Sequence, residues 1–201
     1  MTKTPLQKFK DRLGDFATGT RRGIRNPFVI VPVAPVCEQR AAQDLARWAH
    51  SDMPPTEVTT IYLDRVMAQT EVVKTLLKIP ASFYDKRYDK RAPEERTAQE
   101  ADTLRDNLAV EMVQCIVERY KDACRASEHI VLLLHLGALY PFARASELLD
   151  EMDRQRVQAT VGIPFPGKVI GGKLSFFGER AQHYYPAHRI EERITTAHLQ
   201  A

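Results

Sequence analysis

The sequence predicts an α/β domain built on a mostly parallel sheet with helices on both faces. Two observations carry that prediction. The runs at 28–31 (FVIV) and 129–136 (HIVLLLHL) are apolar on both alternating sets of positions, as strands covered on two sides require. Between such runs lie stretches whose apolar residues recur every three or four positions, the mark of helices. Strand and helix alternating in this way build a parallel sheet.

The elements follow in order. Residues 4–16 place Leu6, Phe9, Leu13 and Phe16 at helical spacing, with Thr4 as N-cap and Pro5 at the first helical position. The strand at 28–31 should end at Pro32 and Pro35, neither of which can donate to a ladder. A helix over 37–50 turns Ala41, Leu45 and Trp48 inward, and the β-branched run 56–63 leads into one helix over 64–78. Residues 80–96, where Tyr-Asp-Lys-Arg occurs twice, read as a charged, exposed connection. A long helix over 94–124 carries Leu104, Leu108, Met112, Ile116 and Tyr120 on one stripe. After the strand at 129–136 come a helix over 142–152 and a strand over 158–163. The Gly- and aromatic-rich tail, 164–201, holds an edge strand or hairpin at 173–177.

Composition bounds the class. The chain has 201 residues, 44% hydrophobic and 27% charged, which suits a single domain, 1–201, able to bury about 70% of its unfolded surface. No run approaches the length of a membrane span and the start lacks an apolar signal core, so a cytoplasmic protein is expected. Cys37, Cys115 and Cys124 are far apart and without zinc spacing, so they read as free thiols. The net charge of +3 is weak. Its clearest concentration is the basic N-terminal helix and linker, residues 1–25, with seven basic residues against Asp11 and Asp15. Arg21, Arg22 and Arg25 are the candidate nucleic-acid contacts there, although a solvated basic helix face is the commoner meaning.

Any chemistry is expected at the carboxyl ends of the strands, where ligands of such sheets sit. After Val31 the chain offers Pro-Val-Ala-Pro-Val-Cys-Glu, without glycine, and Glu38 would repel a phosphate. Gly167 to Lys173 matches G-x4-G-K, but Leu174 stands where Ser or Thr should hold magnesium, and LSFFG does not continue as a helix. Asp64 reads as a helix cap and His135 as a hydrogen-bonded core histidine. The fold is therefore expected to be Rossmann-like or P-loop-like in topology without a functional phosphate loop. No catalytic, cofactor-binding or metal-binding set of residues stands out, and neither an enzyme nor a cofactor is expected.

The last third resembles a known family. Gly137-Ala-Leu-Tyr140-Pro141-Phe142-Ala-Arg144 leads into Ser146-Glu-Leu148-Leu149; Pro164-Phe165-Pro166-Gly167, Leu174-Ser-Phe176-Phe177-Gly178 and Tyr184-Tyr185-Pro-Ala-His-Arg189-Ile190 follow. In order and spacing these residues resemble BrxB, a small component of bacteriophage-exclusion (BREX) defence systems. The resemblance implies a non-enzymatic accessory or scaffold protein whose partners are other BREX proteins, a PglZ-type protein first. Independently of the family, Gly137 with Tyr140-Pro141, and Pro166-Gly167, read as turns at the carboxyl edge of the sheet. Tyr, Phe and Arg are favoured interface anchors. The candidate partner interface is therefore Tyr140, Pro141, Arg144, Phe165, Phe176, Phe177, Tyr184, Tyr185 and Arg189. The other meaning of these residues is that they close the core under the tail. An atypical nucleotide-binding module and a nucleic-acid adaptor using the basic N-terminus are the alternatives.

Overall fold

The structure, a computed structural model, describes residues 3–21, 28–78, 107–140, 142–170, 173–176 and 187–199. Helix α1 (Pro5–Ala17) begins as its sequence dictates: Thr4 Oγ1 accepts the Gln7 N–H at 3.2 Å, and Pro5 occupies a position that needs no donor. Its stripe of Leu6, Phe9 and Leu13 is buried. Strand β1 (Phe28–Val33) is buried at every position. Helix α2 (Glu38–Ala49) sinks Ala41, Leu45 and Trp48. Strand β2 (Val58–Tyr62) then runs into α3 (Leu63–Met67) and α4 (Glu71–Lys78).

The expected single helix over 64–78 is thus two helices, and Thr70 is the reason. Its buried hydroxyl donates to Met67 O at 2.8 Å and accepts the Val73 N–H at 3.4 Å, ending one helix and capping the next. The long helix is likewise interrupted. Residues 107–119 form α5 and Lys121–Arg125 form α6, with Tyr120 out of helical geometry between them. Leu108, Met112 and Ile116 are buried as the stripe requires; Leu104 and residues 80–96 lie outside the described residues.

Strand β3 (Ile130–Leu134) is followed by a 3-10 turn, Leu136–Leu139, and helix α7 (Ala145–Arg154). Strand β4 (Thr160–Ile170) folds back on β5 (Lys173–Phe176), and β6 (His188–Arg189) closes the sheet. Five strands run parallel in the order β2-β3-β4-β1-β6, with β5 antiparallel to the end of β4. This is the expected α/β class. Its order, with β1 between β4 and β6, is not the 3-2-1-4-5 of dinucleotide-binding sheets, so of the two expected topologies only the Rossmann-like one is set aside.

Two predicted boundaries move for one physical reason. β1 continues through Pro32, and β4 continues through Pro164 and Pro166, which were expected to end a strand or make a turn. In a parallel ladder alternate residues point their N–H to opposite neighbours. Thr160 donates toward β3, to His129 O at 2.9 Å, so the even positions of β4 face that side. Pro164 and Pro166 withhold donors only there, and the β3–β4 pairing indeed stops at Leu132↔Gly162. The β1–β4 pairing continues to Val33↔Pro166. Pro32 likewise turns its ring nitrogen to the β6 side, between the carbonyl contacts of Ile30 with Ile190 (2.9 Å) and of Pro32 with Ile194 (2.8 Å).

The sheet separates two apolar layers. Phe28, Ile30, Val131, Leu133, Val161, Ile163 and Phe165 face α3, α5 and α7. Val29, Val31, Val33, Ile130, Leu132 and Leu134 face α1 and α2. Gly162 admits the tips of Leu13 and Leu132 where a Cβ would press on both. Among the described residues no helix is long and apolar enough to cross a membrane. Phe9 is fully buried in the second layer, so Phe9→Ala should cost about 3–5 kcal/mol, measured as a lower urea midpoint with an unchanged slope.

Candidate functional site

The connections after β1 and β3 leave on opposite faces of the sheet, α2 joining one layer and α7 the other. β4 lies between these two strands, and ligands of open α/β sheets bind in the crevice at such carboxyl ends. Here a side chain of the protein spans it. The Glu38 carboxylate, at the start of α2, accepts the Gly137 N–H from the turn after β3 at 2.7 Å. A Cβ at residue 137 would collide with that carboxylate, which is why glycine suits the position. A backbone N–H at a strand tip, the kind of donor that binds an external phosphate, is taken by an internal anion. Burial pushes the Glu38 carboxyl above its usual range; the Gly137 N–H and His135 counteract this, and Asp64 adds to it.

His135 and Asp64 complete the cluster, and neither holds the place expected of it. His135 is not a core histidine: it leaves β3 in left-handed geometry, φ 61°, and starts the 3-10 turn. Histidine is among the residues that tolerate this conformation. Its Nδ1 lies 3.2 Å from Asp64 Oδ1, and its ring meets Tyr62 edge-on at 5.2 Å. Asp64 makes no cap; it sits in the first turn of α3 facing His135. Arg65 lies over the other partner, its guanidinium 4.7 Å from the Tyr62 ring. Side chains from the ends of β1, β2 and β3 thereby meet around the 136–139 turn, which Glu38 holds through the Gly137 N–H. Among the described residues no group of His, Cys, Asp and Glu has the arrangement of a metal site. Cys37 and Cys124 are buried and Cys115 is half-buried, all as free thiols.

The stretch resembling a phosphate loop is a hairpin. Gly167 to Ile170 belong to β4 and Lys173 to β5, with Ile170 opposite Lys173 and Gly167 opposite Phe176. Gly167 is needed because the Ser175 carbonyl crosses where its Cβ would be. Strand follows glycine here, not the helix whose N-terminus must face phosphates.

The predicted interface residues divide. Tyr140 and Arg144 stand at the carboxyl edge, one after the 3-10 turn and one at the N-cap of α7, where Glu147 accepts the Arg144 backbone N–H at 2.9 Å. The guanidinium of Arg144 is 3.9 Å from Glu147 and 40% exposed. Phe165 does not belong to this surface. It is 2% exposed and fills the layer beneath α7, because β4 runs straight on and its odd positions point to that core. Phe176 is on β5, opposite Gly167. Arg189 is on β6 at the far edge of the sheet, beside α1, where it shares a groove with Arg21. Pro141, Phe177, Tyr184, Tyr185, Arg22 and Arg25 lie outside the described residues. Three further exposed apolar side chains, none in the predicted interface, stand at this end of the sheet. Val36 (86% exposed) follows β1, Phe142 (44%) follows β3 beyond Tyr140 (37%), and Ile170 (55%) ends β4. These strands are neighbours, so the apolar groups rim one edge of the sheet. Only the strand order reveals this.

Two outcomes follow from the crevice. Gly137→Ala should displace the Glu38 carboxylate and cost about 1–3 kcal/mol, seen as a lower melting temperature. Because burial raises the folded pKa of Glu38, the folded state holds its proton more tightly, and this group's contribution to stability is lost as pH rises from about 4.3. Glu38→Gln keeps an acceptor for Gly137 without the buried charge. At pH 7 it should melt at or above the parent chain, and the gap should close toward pH 4.

Comparison with known families aligns residues 66–190 with the family described as BREX protein BrxB. The aligned span runs from α3 to just beyond β6 and takes in His135, Gly137, Tyr140, Arg144 and Arg189, while α1, β1, α2 and β2 precede it. No curated protein matches the chain, and no solved structure does. More than half of the chain lies in the aligned span, so the chain belongs to the BrxB family and is a component of a BREX phage-defence system.

Proposed function

We propose that the chain acts within its BREX complex as a non-enzymatic accessory protein that holds other BREX proteins, a PglZ-type protein first among them. The observation that carries this reading is the apolar rim at the carboxyl edge. Val36, Tyr140, Phe142 and Ile170 are exposed on connections from three adjacent strands, with Arg144 beside them. An aromatic pair next to an arginine is the residue set that anchors protein interfaces. The Glu38–Gly137 bond supports the same reading, since it rigidifies the turn that presents Tyr140 and Phe142. A surface held in place before binding loses less conformational entropy on association.

The test is co-purification of the tagged chain with each of the other BREX proteins, compared with Tyr140→Ser/Phe142→Ser. The double variant removes exposed groups, so its melting temperature should stay within a few degrees of the parent's. Its capture of the partner should fall roughly tenfold or more, as loss of about 2 kcal/mol of anchor energy requires. Failure of the parent chain to retain any BREX protein would end the reading.

A further inference from the structure

The groove between α1 and the turn after β6 is a second, chemically different surface. Its volume is about 430 Å³, and four cations and four carboxylates line it. Several of these charges are already paired. Lys8 Nζ is 2.6 Å from Glu192, and Asp11 is held by Lys3 at 2.7 Å and by Gln7 at 2.8 Å. Arg12 and Arg21 form no ion pair among the described residues, and Arg189 stands on the opposite wall.

Arg12 and Arg21 line the same groove and repel one another. Burial lowers the pKa of Arg12, and Arg21 lowers it further, with Asp15 in opposition. His188, its ring tilted against Phe16 with centroids 4.4 Å apart, feels the same field: burial, then Arg12, then Arg21 hold its imidazole below the usual value. Its Nε2 is buried without a hydrogen-bond partner among the described residues. An anion between the arginines would relieve this repulsion, and a guanidinium grips a carboxylate through two parallel hydrogen bonds.

We propose that this groove receives a carboxylate side chain of a partner protein, an Asp or Glu flanked by basic residues, clasped by Arg12 and Arg21 with Arg189 on the far wall. The lining selects this occupant over nucleic acid. Asp15, Glu191 and the other carboxylates would repel a continuous phosphate backbone but match a segment of alternating charge. Among the described residues the other cations of the N-terminus are also engaged: Lys3 and Lys8 are paired, and Lys10 is 5.7 Å from the Trp48 ring centroid, the pKa of its ammonium lowered by burial. The inference deepens the reading of the chain as a protein-binding component and rests on it.

The experiment compares the parent chain, Arg12→Gln/Arg21→Gln and Tyr140→Ser/Phe142→Ser. Each is co-expressed with the other BREX proteins and captured at low and high salt, and a short DNA duplex is titrated into the purified chain. Capture by the arginine variant should fall about tenfold at low salt, with a smaller difference at high salt where the ion pairs are screened. By NMR, the His188 ring should titrate higher in the complex than in the free chain. A merely structural arginine pair would not produce that shift. Equal capture by the arginine variant, with His188 unmoved, overturns the groove and leaves the apolar rim standing. No capture by the parent chain overturns both. DNA that moves His188 in the parent but not in the variant gives the groove to nucleic acid and overturns the proposal. Should the double variant fail to fold, Arg21→Gln alone, at an exposed turn, should still weaken capture about threefold.

Discussion

The pairing of β1 with β4 is the constraint on which the other parts depend. Both strands are central, both are buried on two faces, and their six-residue register spans the sheet. Each helix layer gains its apolar floor from alternate residues of this pair, Ile30 and Ile163 on one side, Val29 and Val31 on the other. Prolines are costly in such a position because each removes a ladder donor. All three are placed where the neighbouring ladder is interrupted, so the β1–β4 bonds survive. The interruption also frees the end of β4 to leave β3 and pair with β5 instead.

That departure opens the carboxyl edge, and the protein fills it with its own groups. Glu38 reaches across to Gly137, and His135 approaches Asp64 from the next strand end. A half-buried carboxylate near a second one is an unfavourable arrangement unless hydrogen bonds and an imidazole offset it. Three strand ends thus meet there through side chains, Glu38 by a hydrogen bond and His135 by close approach to Asp64. The exposed apolar groups stand at the same end of the sheet, while the charged groove lies at the β6 edge beside α1. The BREX component therefore offers two surfaces of different chemistry from one sheet.

Much of the fold was legible. Thr4, Pro5 and the stripe of Leu6, Phe9 and Leu13 specify α1 completely, since capping and periodicity are local properties. The same holds for α2 and for the body of β3, although the predicted strand ran on through His135 and Leu136, where the 3-10 turn begins. The split at Thr70 was not legible, because a threonine inside a helical pattern reveals its capping role only through its hydrogen bonds. β4 was underestimated because a proline's effect depends on which neighbour its nitrogen faces, and that is a property of sheet order. Phe165 reads as a surface residue for the same reason, because Pro166-Gly167 reads as a turn until the sheet order is known. At the site, Gly137, Tyr140 and Arg144 were correctly set at the carboxyl edge. Glu38 and Gly137 are 99 positions apart, and only the folded sheet brings them together.

The central place of β1 has a consequence for biogenesis. Its partners, β4 and β6, are the last long-range elements along the polypeptide, with Phe28 matched to Val161 and Ile30 to Arg189. During translation the hydrophobic segment 28–33 leaves the ribosome long before either neighbour exists. Loop-closure entropy over such separations slows folding and keeps sticky surface accessible. The central ladder of the sheet can therefore close only when synthesis is nearly complete.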